Sequence, residues 1–199
     1  MRALSVAGLV AGSLALAACN QSSAQEGGGD SLVRLQDRIA IEDLIVGYYA
    51  HLGSGSSDAF GEFYTEDAVF DVNGMVLTGR EEIEGIYDGL GAEAGSEATT
   101  PEPEPEPEQP GGVSHMLLSN PVIEVQGDTA TASFLWTQIG NPDIKGPPVL
   151  IEQGREYDLL VKRDGKWLIQ KRAVIADSGM PDMFDATYQP RLDYDITQD

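Results

Sequence analysis

"FYTEDAVFDVNGMVLTGREEI", residues 63–83, is the stretch from which the fold is read. Asn73-Gly74 is a strong hairpin signal, because both residues tolerate positive φ. It predicts a small hairpin with strands from Ala68 to Val72 and from Met75 to Leu77. Beginning at Gly79, "GREEIEGIYDGL" predicts a helix with acids in its first turn and Ile83, Ile86, Tyr87 and Leu90 along one side.

Upstream, Ile41, Leu44, Ile45, Tyr48 and Leu52 recur at helical spacing, with Asp37, Arg38, Glu42 and Asp43 on the other face. "GSGSSD" from Gly53 ends that amphipathic helix, and "DAFGEFY" from Asp58 predicts a short second one carrying Phe60, Phe63 and Tyr64. Downstream of Gly112 the apolar period switches to two. Val113 to Gln126, Thr129 to Ile139, Leu150 to Arg163 and Lys166 to Ala176 read as long strands joined at Gly127-Asp128, at Gly140 to Pro148, and at Asp164-Gly165. Three helices and a hairpin followed by four long strands predict an α+β domain. Its strongly curved antiparallel or mixed sheet wraps on the three N-terminal helices. The concave space between the layers is where a small ligand would bind.

The flanks differ in character. "MRALSVAGLVAGSLALAAC" has one basic residue, an apolar run and small residues before Cys19, the layout of a secretory signal. "LAAC" resembles the bacterial lipoprotein signal box, which implies a signal peptide over 1–18 and acylation of Cys19. With Asn20 next, the expected location is the cell envelope, anchored to the outer membrane and facing the periplasm. Residues 19–30, polar and rich in Gly and Ser, read as a flexible tether, and 31–177 as the domain. Within it, 91–112 is a Pro-Glu insertion that cannot enter a helix or a central strand and is expected to be disordered. The tail, 178–199, carries Met180, Met183, Phe184 and Tyr188 among acids and prolines and reads either as a lid on the cavity mouth or as a surface strap.

The 199 residues carry a formal charge of −21, from 33 acidic and 12 basic side chains. Such a chain repels phosphate backbones, which excludes nucleic acid as a partner. With a single cysteine there is no intrachain disulfide, and two histidines without close His or Cys neighbours do not make a zinc set. No cofactor motif is present, so none is expected.

Four phrases in order resemble the nuclear transport factor 2-like superfamily, in its SnoaL-like branch: "RIAIEDLIVGYYAHL", the 63–83 block, "HMLLSNPVIEVQGDTATA" and "GREYDLLVKRDGKWLIQKR". The resemblance covers Asp37 to about Asp177 and implies a cone-shaped, cystatin-like α+β fold holding a small apolar or aromatic ligand. It also implies pairing of two copies through the open sheet face. Members that are dehydratases move protons with a pocket tyrosine, histidine and aspartate; Tyr48 and His115 match the first two, and the acidic position is Gly53. His51, Arg155, Asp158, Arg172 and Trp136 are the further pocket candidates. Each has a plainer role open to it: His115 a hydrogen-bonded residue under the sheet, Tyr48 a core aromatic, His51 a helix terminator, Trp136 packing. Two functions follow. One is a lipid-anchored small-molecule-binding module, favoured because the acid at Gly53 is missing. The other is a cofactor-independent dehydratase or isomerase using Tyr48 and His115 in proton transfer.

Overall fold

A computed structural model describes residues 19–53, 60–93, 113–141 and 143–198. The expected signal peptide and most of the Pro-Glu insertion lie outside these residues. Contacts divide the chain after Asp37 into two units. The first contributes, among the described residues, the N-terminal part of helix α1 (Cys19–Gly53). The stretch read as a tether is therefore helical. It contains no proline, and each residue added to an existing helix gains one backbone bond without a new nucleation cost.

The second unit, from Arg38, holds the rest of α1, strands β1 (Tyr64–Val72) and β2 (Met75–Thr78), helix α2 (Arg80–Glu93), and strands β3 (Val113–Gln126), β4 (Thr129–Asn141), β5 (Val149–Arg163) and β6 (Lys166–Ser178). They form one curved mixed sheet in the order β2-β1-β6-β5-β4-β3, antiparallel throughout except where β1 meets β6. The expected hairpin forms: Asn73 and Gly74 adopt φ of 52° and 84° between β1 and β2. The expected second helix is instead a single 3-10 turn, Phe60–Phe63. Seven residues are too few to sustain an α-helix, and the tighter turn lays Phe60 flat on Tyr87, with ring centroids 3.9 Å apart.

Ile41, Ile45, Tyr48 and Tyr49 of α1 and Ile83 and Tyr87 of α2 pack on the inner face of the sheet, against Phe70, Phe134, Leu160 and Ile169. Alternation decides which strand residues face them. On β5, Gly154, Glu156, Asp158 and Leu160 are buried, while Arg155, Tyr157 and Leu159 between them are half-exposed. Gly154 is required there, because a Cβ would lie 2.1 Å from the carbonyl oxygen of Ile175 and 2.7 Å from the Trp136 ring. The outer face leaves Leu117 and Leu135 exposed.

Strand β3 contains a bulge. Ser119 pairs with Leu135 and Val122 with Ser133, so Asn120 and Pro121 together oppose Phe134. Asn120 has φ of 54°, and Pro121 has no N–H to give to the ladder. The bulge reverses side-chain parity along the strand. Ile123 and Val125 point inward after it, whereas Met116 and Leu118 do so before it.

The tail follows the domain closely. Pro181 to Phe184 border the inner cavity, Tyr188 lies beside Gly74, and Tyr194 packs against Tyr157 with ring centroids 5.3 Å apart.

Candidate functional site

Between sheet and helices lies a cavity of about 540 Å³, a size suited to a small organic molecule. Helix α1 supplies Tyr48, Tyr49 and Leu52, while α2 supplies Ile86 and Tyr87. The sheet contributes Phe70, Met116, Trp136, Glu152 and Val174, and the tail segment Pro181 to Phe184 completes the wall. Pro181 to Phe184 of the tail thus lie against the cavity.

Beneath the aromatic wall is a buried polar cluster. Arg172 and Asp158, opposed on β6 and β5, form a two-point ion pair, with Nε to Oδ1 at 2.7 Å and Nη2 to Oδ2 at 3.0 Å. Nη2 also lies 2.8 Å from Glu156 Oε1, and all three side chains are fully buried. The guanidinium carbon sits 4.1 Å from the centre of the Tyr48 ring, a cation–π contact. Tyr49 donates its hydroxyl proton to Glu156 Oε2, and the Tyr48 and Tyr87 hydroxyls bond to each other.

Burial sets the protonation states. It raises Glu156 to about 8, against the opposing pull of Arg172 and with help from the Asp158 charge. With Arg172 and Asp158 neutralising one another and Glu156 protonated near neutral pH, the cluster carries no net charge. Burial also raises Tyr48, and raises Tyr49 and Tyr87 well above the ordinary tyrosine value, so all three remain hydroxyl donors. Glu152, in the cavity wall, is raised by burial alone.

The sequence candidates separate. Tyr48 and Trp136 line the cavity. Asp158 and Arg172 meet, but as an ion pair below the Tyr48 ring rather than as wall residues. His51 is half-buried with its ring 4.7 Å from Phe60 and is not part of the wall. Arg155 points from the outer face and pairs with Asp177, Nη2 to Oδ1 at 2.8 Å. His115 corrects the expectation most sharply: it is exposed on the outer face, opposite Ile139, while its neighbour Met116 enters the cavity wall. The bulge at Asn120-Pro121 is the cause. Counted back from the inward-facing Ile123 and Val125 without it, His115 would point inward. Tyr48 and His115 therefore do not share a cavity.

Sequence reasoning missed Tyr49, Tyr87, Glu152 and Glu156. The two glutamates were signalled by parity, since Glu152, Glu156 and the candidate Asp158 fall at even spacing on one strand. Among the described residues no group of three or more His, Cys, Asp and Glu side chains could hold a metal ion.

A profile of the SnoaL-like domain matches residues 33–173. No curated protein sequence matches the chain. Among solved structures, Rv3472, a protein of unknown function from Mycobacterium tuberculosis, is 22% identical with a TM-score of 0.57, over 72% of this chain and 73% of that one. An NTF2-like protein with a cystatin-like fold from Novosphingobium aromaticivorans is 20% identical with a TM-score of 0.57, over 83% and 94% of the two chains. A proposed scytalone dehydratase from the same organism is 19% identical with a TM-score of 0.56, over 74% and 89%. At these identities the likeness is one of fold.

Proposed function

The chain belongs to the SnoaL-like domain family, and we propose that this member is a small-molecule-binding module. Its ligand is an apolar or aromatic compound held between α1, α2 and the inner sheet face. The observation that carries this reading is the cavity itself: aromatic and aliphatic walls with a few fixed polar groups, the composition of a ligand pocket. The alternative, elimination or isomerisation by Tyr48 and His115, requires both groups on one substrate, and they lie on opposite faces of the sheet. The Tyr48 hydroxyl is also held in its protonated form, which suits a donor and not a base.

Calorimetric titration with 1-naphthalenemethanol, a neutral probe of suitable size, tests the reading. Val174 is half-buried on the inner face of β6 and borders the cavity. Val174→Phe puts a ring into that space, so it is expected to weaken the probe at least about tenfold while circular dichroism is unchanged. Equal binding by the two proteins would locate the probe elsewhere and sink the proposal.

Membrane attachment through an acylated Cys19 is the second part of the proposal, supported by the "LAAC" sequence alone. Cys19→Ala in a bacterial host should abolish labelling by a tagged fatty acid and release the protein from the membrane fraction. Labelling that persists in the variant would refute the anchor.

A further inference from the structure

The wall of the cavity has an unbalanced charge. Its ionisable side chains, tyrosines apart, are Glu152 and Asp182, and among the described residues neither Lys, Arg nor His borders it. Arg172 is buried below the Tyr48 ring, and Asp158 already neutralises it. Burial alone accounts for the raised proton affinity of Glu152, so no basic side chain offsets the loss of water around it.

A second feature lies on the same inner face. Trp136 is 3% exposed, lines the cavity, and its buried Nε1 has no hydrogen-bond partner in the protein. Register puts the two features side by side. Trp136 opposes Gly154, and Gln138, two residues further along β4, opposes Glu152. A molecule over that part of the sheet would find an indole ring next to a carboxylate.

We infer that the ligand is an apolar amine, cationic at neutral pH. Its ammonium group lies at Glu152, and its hydrocarbon body fills the space between Tyr48, Tyr49, Trp136 and Phe184. The aromatic faces favour a cation as well as a hydrocarbon surface. This inference rests on the cavity being a ligand site, and it adds the sign of the ligand's charge.

The test compares 1-naphthylmethylamine with 1-naphthalenemethanol, nearly isosteric probes differing in charge, by calorimetry on the full domain at pH 7.5. The amine is expected to bind at least about tenfold more tightly, and Glu152→Gln is expected to remove that preference. Glu124→Gln, at an exposed position on β3, should preserve the preference, which separates Glu152 from the general attraction of a chain with charge −21. An alcohol that binds as tightly as the amine to the unaltered protein overturns the inference and leaves the cavity reading intact. A preference that survives Glu152→Gln overturns it too. Failure of both probes to bind overturns the cavity reading and the inference together.

Discussion

Asp158→Ala is expected to cost about 3–5 kcal/mol of folding stability, the range for removing one partner of a buried ion pair. Arg172 cannot shed its charge and has no exposed surface through which water could reach it. Asp158 supplies two of its hydrogen bonds, and Glu156, protonated near neutral pH, is a weaker counter-group. The loss should itself depend on pH. The Asp158 charge is one of the causes that hold the Glu156 proton in place, so its removal frees Glu156 to ionise against Arg172. Urea unfolding of the variant should therefore show a larger deficit at pH 5 than at pH 8. A deficit below about 0.5 kcal/mol at both would mean that the guanidinium is not dependent on Asp158.

Glu156 supplies the second large effect. Its folded value of about 8 lies above the ordinary 4.5 that the unfolded chain retains. Between those values the folded state holds a proton that the unfolded state has released. This contribution is fully present below about pH 4.5 and is lost as pH rises through about 8. At 1.36 kcal/mol per unit the change across that window is about 5 kcal/mol. Glu156→Gln imitates the protonated acid and removes the titration. Unfolding midpoints between pH 5 and 9 should fall for the unaltered protein and stay nearly level for the variant. Parallel profiles would show that Glu156 is already ionised in the fold.

The same cluster marks what could and could not be read from the sequence. The amphipathic part of helix α1 that carries Ile41 to Leu52, the Asn73-Gly74 hairpin and the four long strands follow from periodicity and turn chemistry, which act over a few residues and leave a local trace. Partnership across strands leaves none. Asp158 and Arg172 are fourteen residues apart, and their pairing depends on the register of β5 against β6, including the shift next to Leu160. His115 shows the opposite case, where a local trace was present and decisive. Asn120-Pro121 inside an otherwise regular strand announces a bulge, because proline cannot donate to the ladder and asparagine tolerates the left-handed region. That dipeptide makes the outward side of His115 legible. Phe184 was not legible, since the course of the tail emerges only from packing.

The direct test of the cavity as the ligand site uses the two tryptophans, Trp136 and Trp167. Each gives one indole N–H signal in a nitrogen-15 correlation spectrum. Trp136 lines the cavity and its Nε1 is without a protein partner, whereas Trp167 lies in the core away from that wall. Addition of 1-naphthylmethylamine should shift the Trp136 signal progressively and leave the Trp167 signal in place. A titration that moves neither signal, or that moves Trp167 while Trp136 stays fixed, would contradict a ligand site between the helices and the inner face of the sheet.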